Sequence, residues 1–430
     1  MFPFQWVLSP RVLAASLVLG LAIPGSVRAE PHSAALLPLD EALRLAIRDQ
    51  PLLAAQQSAV AAARESAIGA GELPDPKLTG GLMEWPVNGP DRYSIRRDDF
   101  TELQIGLSQE FTRASKRRLR GERGAQAART ASADLDALQL TVRRDVALTW
   151  LTVWVQAQAV TLATAALNTA ELQVGVVNIA SRTGSATRAD VLSAQGVRDL
   201  LRDQIADQEH QLAEARIALS RWIGADAERP LPAGLPDPGP PADLPTLLDR
   251  GSEHPLLRSA ASQTEVARSD VQLARAGYKP DWTVGVVYAY RLDFPDYVGV
   301  NFAVDLPFFT ANRQDRGLAA GLQEQRRAEN LSEDLGLQQA VQIRQSLSGW
   351  QHFEQRLVRY EREILPRSAE RSEAARLAWQ SGQGNLAAVL DARQAELERR
   401  MQHLALRRQA AAARVTLDYL TGPQPTGEQP

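Results

Sequence analysis

The feature that most constrains this chain is that its two halves are related in sequence. Residues 51–81 align without a gap to residues 255–285, and residues 184–224 align to residues 382–422 with thirteen identities in 41 positions. A repeat of about 200 residues is much longer than the repeats of solenoid proteins. The sequence therefore predicts one ancestral unit that is used twice around a pseudo-symmetric body.

The first 29 residues have the composition of a secretory signal peptide. Arg11 precedes an uncharged apolar run from Val12 to Ile23, and the small residues up to Ala29 fit a cleavage site. A run this short does not span a bilayer, which argues against a permanent membrane anchor. Residues 1–29 are therefore predicted to be removed from an exported protein.

Charge and cysteine content narrow the class of protein further. The chain of 430 residues contains no cysteine, so neither disulfide bonds nor a lipid-modified N-terminal cysteine is available. An exported protein of this kind must be stabilised by packing and assembly. The formal net charge of −3 gives no indication of a nucleic-acid partner.

Both halves are predicted to contain the same order of elements: a helix, two strands, a very long helix, a short loop and a shorter helix. The first repeat (30–223) is expected to have helices at 39–70, 116–181 and 187–223 and strands at 77–86 and 101–111. The second repeat (247–422) is expected to have helices at 245–277, 313–380 and 386–421 and strands at 281–291 and 297–308. The proline-rich segment 224–246 is predicted to be an extended linker on the outside of the body, and 423–430 a C-terminal tail.

The lengths of the helices indicate how they pack. Segment 116–181 contains no proline and would be about 100 Å long at 1.5 Å per residue. The two shorter helices of each repeat together match that length, so they can stack end to end beside it in an antiparallel slab. Pro366 should kink the second long helix or change its pitch. The helices have no wide apolar face, which suits a hollow wall with one wet side better than a solid core.

The strand segments carry a membrane signal, because apolar residues alternate with small or polar ones. One face of 282–290 and 298–306 carries Trp282, Val284, Val286, Tyr288, Tyr290, Val298, Val300, Phe302, Val304 and Leu306. Such alternation over about ten residues, with aromatic residues near the ends, is typical of transmembrane barrel strands. Trp282, Tyr288, Tyr290 and Phe302 are therefore predicted to face the membrane. A half-buried strand of a soluble sandwich alternates in the same way, but the export signal and the flanking helices favour the membrane.

The number of strands has a consequence for assembly. Four strands cannot close a membrane barrel, because strand edges inside a bilayer must be paired. The smallest even-numbered barrels have about eight strands, so two, three or four chains must share one barrel. The predicted fold class is an α+β membrane protein in which a long antiparallel α-helical barrel joins a transmembrane β-barrel shared between protomers, with an internal twofold repeat.

Several motifs occur twice and in the same order. They are Gln50-Pro51-Leu52 and His254-Pro255-Leu256 at the helix starts, and a glycine followed by Val-Leu-x-Ala at 184–194 and 382–392. In these motifs the chain resembles the TolC-type outer-membrane efflux family over essentially all of the mature sequence. The resemblance implies a homotrimer with a twelve-stranded barrel in the outer membrane of a Gram-negative bacterium and a helical tunnel into the periplasm. It also implies a passive exit duct whose tip docks on a periplasmic adaptor protein linked to an RND-type inner-membrane pump.

The resemblance also suggests roles for individual residues. The tip that contacts the adaptor would contain Gly184, Ser185, Gly382 and Gln383, and Asp190 and Trp379 would line the pore constriction. Gly384 stands where the family often has a basic residue, which leaves no partner there for an Asp–Arg bridge. For Asp190 a second interpretation stays open, in which the carboxylate only complements the start of a helix. Segment 109–118 resembles the heavy-metal, CzcC-type branch, so heavy-metal cations are a candidate cargo.

Three further features of the sequence bear on these predictions. Val146 to Leu167 has no charged residue and could span a membrane, but its counterpart in the second repeat is charged, so a buried helix is predicted. The basic run from Arg113 to Arg123 is either a solvated helix start or a site near lipid head groups.

No nucleophile–base pair, cofactor motif or metal-ligand spacing is visible, so an enzyme is not predicted. The alternative function is a periplasmic coiled-coil adaptor or structural protein without a barrel.

Overall fold

A computed structural model describes residues 35–48 and 50–422, so the predicted signal peptide (1–29) and C-terminal tail (423–430) lie outside the described residues. The first half contains α1 (Leu39–Arg48), α2 (Pro51–Ala70), β1 (Lys77–Met83), β2 (Glu102–Phe111), α3 (Ala114–Arg182) and α4 (Arg188–Ile223). The second half contains α5 (Leu244–Ser252), α6 (Pro255–Ala276), β3 (Trp282–Tyr290), β4 (Tyr297–Val304), α7 (Gln314–Arg359), α8 (Leu365–Gln380) and α9 (Leu386–Thr421).

The single helices predicted over 39–70 and 245–277 are wrong, because each is interrupted by a proline. Pro51 and Pro255 occupy the first turns of α2 and α6, where the missing N–H group of proline does no harm. The residue before a proline is forced out of the helical region. Gln50 accordingly has φ −80° and ψ 114°, and His254 has φ −58° and ψ 138°.

The second long helix changes pitch before Pro366, as predicted. A single π-helical turn, Tyr360–Ile364, joins α7 to α8, and Pro366 lies in the first turn of α8. The amide of Leu365 donates to the carbonyl of Tyr360, five residues earlier. The wider turn accommodates a proline that would break the usual ladder of bonds between residues four apart.

In the described part of the chain, four strands form one antiparallel sheet in the order β1-β2-β3-β4. The central pair joins the two halves, since Leu107 of β2 lies opposite Val286 of β3. On the other side of β3, Val286 lies opposite Val300 of β4. Residues directly opposite each other share one face of a sheet. The apolar sets of neighbouring strands therefore align.

The two faces of the sheet differ sharply in character. One face carries Leu78, Leu82, Leu103, Ile105, Leu107, Trp282, Val286, Tyr288, Tyr290, Val298, Val300 and Phe302, all of them exposed. We call these residues the apolar face. The opposite face carries small or polar residues such as Thr79, Gly106, Gly285 and Asn301. The predicted alternation is thus confirmed, and it includes β1, whose own sequence alternates poorly.

The apolar run of α3 is the centre of the largest core cluster. Trp150 and Trp154 are fully buried there, and their indole Nε1–H groups donate to the carbonyls of Leu37 (3.1 Å) and Pro232 (3.1 Å). Within the described ranges, α3 is the one helix that is long and apolar enough to cross a membrane, and half of its most apolar window is buried. The prediction of a buried helix for Val146 to Leu167 agrees with this packing.

The segment between the halves is extended, but it packs against the body. After a short 3₁₀ turn at Gly224–Glu228, the carbonyl of Pro230 accepts from the amide of Leu37 at 2.8 Å. Arg229 forms ion pairs with Glu41 (2.8 Å) and Asp226 (3.2 Å). Apart from Ala227, the residues of segment 224–246 are exposed or half-buried, and its backbone carbonyls pair with donors of the core.

Candidate functional site

The two helix reversals, α3–α4 and α8–α9, pack against each other at one end of the helices. Val174, Val177, Val191 and Ala194 of the first half and Leu386 and Val389 of the second half form one buried cluster, which we call the tip cluster. The ring of Trp379 is partly buried against the tip cluster. The residues predicted for the tip and for the constriction thus lie together, although the sequence separates them by almost 200 positions.

The first reversal turns at Gly184, which has φ +80°. Side chains rarely adopt this left-handed conformation, so glycine closes the turn without strain. The carbonyl of Ala180 accepts four hydrogen bonds, from the amides of Ser185 (2.9 Å) and Ala186 (3.2 Å) and from the hydroxyls of Ser185 (3.1 Å) and Thr183 (3.0 Å). These bonds satisfy a helix-end carbonyl that would otherwise lack a partner.

The second reversal repeats this geometry with different side chains. Gly382 has φ +76°, and the Gln383 amide donates to the carbonyl of Ala378 at 2.9 Å. The side chain of Asn385 caps α9 by accepting from the amide of Ala388 at 2.8 Å. Gly184, Ser185, Gly382 and Gln383 are all exposed. The four predicted tip residues therefore form a pair of matched, accessible turns.

Asp190 belongs to a capping box at the start of α4. Its carboxylate accepts from the Thr187 amide (2.8 Å) and hydroxyl (2.7 Å), and its own amide donates to the Thr187 hydroxyl (3.2 Å). The hydrogen bonds from the Thr187 hydroxyl and amide lower the pKa of Asp190. The helix-start interpretation thus has a defined geometry. Thr187 was not among the residues predicted for the site, although Thr-x-x-Asp before an apolar run is a recognisable capping signal.

The basic run at the start of α3 is partly neutralised by the second half. The ammonium of Lys116 contacts the Asp281 carboxylate and the Lys279 carbonyl, both at 2.7 Å. The backbone amide of Arg113 donates to Asp281 at 2.9 Å. These contacts connect the segment that follows β2 to the segment that precedes β3. Neither of the two interpretations of the basic run predicted this role.

The predicted membrane-facing aromatics lie near both ends of the sheet on the apolar face. Near the helical end, Trp282 stacks on Phe111, with ring centroids 4.5 Å apart, and lies 6.0 Å from Phe302. Tyr288 and Tyr290 lie on the same face near the opposite end of β3. Aromatic residues at both ends of an exposed apolar band match the interfacial girdles of membrane barrels.

Among the residues that the structure describes, no group of three or more histidine, aspartate or glutamate side chains is placed to hold a metal ion. A sheet with an exposed apolar face, joined to paired helices with turns at one end, defines a TolC-type channel protein. The chain belongs to the outer membrane efflux protein family, whose family model matches residues 42–225 and 251–423. Such proteins are conduits rather than enzymes, and they lie in the outer membrane and extend into the periplasm.

Individual relatives agree with this assignment. The chain is 29% identical over 262 residues to the pyoverdine export outer membrane protein OpmQ of Pseudomonas aeruginosa. The aligned region covers 57% of this chain and 54% of OpmQ. The chain thus spans about half the length of this curated relative. The fold is similar to VceC of Vibrio cholerae (TM-score 0.74, 18% identity, 90% of this chain and 96% of VceC). It is also similar to CmeC of Campylobacter jejuni (TM-score 0.75, 14% identity, 89% and 85%).

Proposed function

We propose that this protein is the exit duct of a tripartite efflux system, in which three copies share one β-barrel and one helical tunnel. The observation that carries the proposal is the sheet: its outer strands, β1 and β4, have free edges, and one face is apolar and exposed. Unpaired strand edges are not tolerated in a bilayer. If β4 of each copy pairs with β1 of the next, four strands from each of three chains give a closed barrel of twelve.

The tip is proposed to dock on a periplasmic adaptor that is linked to an RND-type pump. Two exposed turns at the same end of the helices support this proposal, because they offer a matched surface on both halves. Asp190 and Trp379 are proposed to lie at the constriction of the tunnel. A passive duct takes its selectivity largely from its pump, so heavy-metal cations and an organic cargo of the kind named for OpmQ remain the two candidate classes.

The alternative, a periplasmic adaptor without a barrel, accounts poorly for the apolar face. Soluble proteins rarely expose contiguous apolar patches larger than a few hundred Å². The apolar face carries twelve exposed large residues on four strands. Exposed Tyr288 and Phe302 side chains would be unfavourable on the surface of a soluble adaptor, whereas contact with lipid accounts for their exposure.

The decisive experiment compares neighbouring positions on the two faces of β4. Val300 lies on the apolar face and is 72% exposed, whereas Asn301 lies on the opposite face. A charged residue on the lipid face of a barrel costs about 2–4 kcal/mol near the midplane. Val300→Arg should therefore reduce the threefold species that cross-linking detects in outer-membrane extracts, and Asn301→Arg should leave it intact. Equal amounts of the threefold species in the two variants, or a stable monomer in the wild type, would refute the proposal.

A further inference from the structure

A cavity of about 400 Å³ lies between α3, α4, α8 and α9, next to the tip cluster. It separates the tip cluster from a second apolar cluster, formed by Ala170, Leu201 and Leu397. The cavity has the size of a small-molecule pocket. Both the first and the second half of the chain contribute to its lining, so a molecule bound there would touch both hairpins of helices.

One buried side chain in the cavity wall has no acceptor among the described residues. Gln173 of α3 is 6% exposed, and its amide nitrogen Nε2 forms no hydrogen bond with any atom of the described chain. Buried polar groups are almost always paired, because an amide that loses water without gaining a partner is destabilising. The cavity therefore presents a donor that needs an acceptor.

Three arginines and two glutamates lie at or beside the cavity, so positive charges outnumber negative ones by one. Glu373 of α8 forms an ion pair with Arg376, and Glu396 of α9 forms one with Arg400 at 2.5 Å. Arg393 of α9 also lines the cavity, and it forms no hydrogen bond or ion pair with any described residue. Burial and the nearby Arg376 guanidinium lower the pKa of Arg393, and the carboxylates of Glu396 and Glu373 act in the opposite direction without reversing that shift.

From these observations we infer that the cavity binds a small monocarboxylate. A carboxylate offers acceptors only, so it suits both the Gln173 amide and the Arg393 guanidinium. One negative charge matches the excess of one arginine over the glutamates around the cavity. The remaining lining is largely leucine, valine and alanine, which favours a ligand with a short apolar body. Ordered water could also satisfy Gln173 but would add no negative charge to balance the excess arginine.

Binding would connect the two hairpins of the tip. Gln173 belongs to the α3–α4 hairpin and Arg393 to the α8–α9 hairpin, so one ligand would contact both. A ligand that holds two elements together favours the arrangement in which both contacts exist. The effect on conduction rests on the proposed function, whereas binding itself does not.

The test uses the full-length protein in detergent, with hexanoate as the probe and hexanamide as its uncharged analogue. Binding is followed by ligand-observed NMR and by the midpoint of thermal unfolding. Hexanoate should bind and raise the midpoint, and hexanamide should do so much less. Arg393→Gln and Gln173→Leu should each weaken hexanoate binding about tenfold or more, as expected for the loss of a charge-assisted or buried hydrogen bond.

Arg399→Gln is the matched control, because Arg399 lies on the same helix but does not line the cavity. Its affinity for hexanoate should equal that of the wild type. Cross-linking reports assembly separately, so failure of this site is distinguishable from failure of the proposed trimer. Equal binding of hexanoate and hexanamide, equal affinity in all three variants, or no binding at all would overturn the inference and leave water as the occupant.

Discussion

His254 should make the stability of this protein depend on pH in a defined direction. The side chain is 2% exposed and lies between α5 and α6. Its Nδ1 accepts from the amide of Leu256 at 3.2 Å and so caps α6, and its Nε2 lies 3.1 Å from the carbonyl of Tyr419. Only the neutral ring with a proton on Nε2 can make both bonds, because a protonated ring has no acceptor.

Removing this side chain should cost about 3 kcal/mol. His254→Ala loses a helix N-cap, which is typically worth ~1 kcal/mol. It also leaves the Tyr419 carbonyl, in the last turn of α9, without its side-chain donor, at a similar cost. The edge-on contact between the two rings, 5.2 Å apart, contributes about 0.5–1.5 kcal/mol more. His254→Asn keeps an acceptor for Leu256, so we expect it to lose about half as much.

The sign of the pH dependence follows from the pKa. Burial, supported by the charge of Arg258, lowers the pKa of His254 in the folded protein, although its bond to Tyr419 acts in the opposite direction. The unfolded chain binds the proton near pH 6.5, where the folded protein does not. The contribution of neutral His254 to the free energy of unfolding is therefore fully present above about pH 6.5. Below that pH the free energy of unfolding falls by up to about 1.4 kcal/mol per pH unit, until the lowered pKa of the folded protein is reached.

The assay is guanidinium unfolding of the detergent-solubilised protein, followed by tryptophan fluorescence between about pH 5 and pH 8. The wild type should lose stability on acidification more steeply than His254→Asn. His352→Asn is the control, since His352 is exposed, and its pH profile should match that of the wild type. An identical acid slope in the wild type and His254→Asn would refute the claim that His254 is held neutral as a cap.

Three further predictions concern the helices and their tip. A Cβ on Gly124 would lie 2.6 Å from the Cα of Ala67, whereas one on Gly175 would meet nothing within 4 Å. In guanidinium unfolding we therefore expect Gly124→Ala to destabilise the protein by about 1–3 kcal/mol and Gly175→Ala to stabilise it by about 0.5–1 kcal/mol. Effects of the same sign in the two variants would contradict this packing argument. Asp190→Ala should lose about 1 kcal/mol of helix capping and, because Asp190 is proposed to lie at the constriction, should change cation selectivity in planar bilayers. Unchanged selectivity with reduced stability would leave Asp190 only its capping role. Gly382→Leu should impair export in a resistance assay without preventing trimer cross-linking, and wild-type resistance with an intact partner complex would argue against a docking role.

The sequence predicts the sheet better than it predicts the helix ends. The apolar face follows from a period of two that each strand carries locally, and the pairing of Ile105 with Tyr288 preserves that period across strands. The breaks at Pro51 and Pro255 were missed because the helical pattern continues across them. Each proline starts a new helix at a position where its ring is tolerated.

The sequence does not predict the features that depend on backbone atoms or on the space left between packed helices. The docking of the proline-rich segment depends on the carbonyl of Pro232, which meets the indole of Trp154. A carbonyl has the same chemistry at every position, so no residue pattern signals this bond. The cavity beside Gln173 arises from small residues on four separate helices, and only their packing brings them together.

The order of the strands sets how often each chemical group recurs around the assembly. In the proposed trimer, β2 and β3 join the halves within a copy, and β4 and β1 would join them between copies, so first and second halves alternate around the barrel. Six related units then occupy positions of nearly sixfold symmetry, but only three are identical. The capping box of Asp190 occurs in the first half, while Ala388 occupies the equivalent position in the second. If Asp190 lines the proposed tunnel, the duplication would give it a ring of three carboxylates where an unduplicated ancestor would have had either six or none.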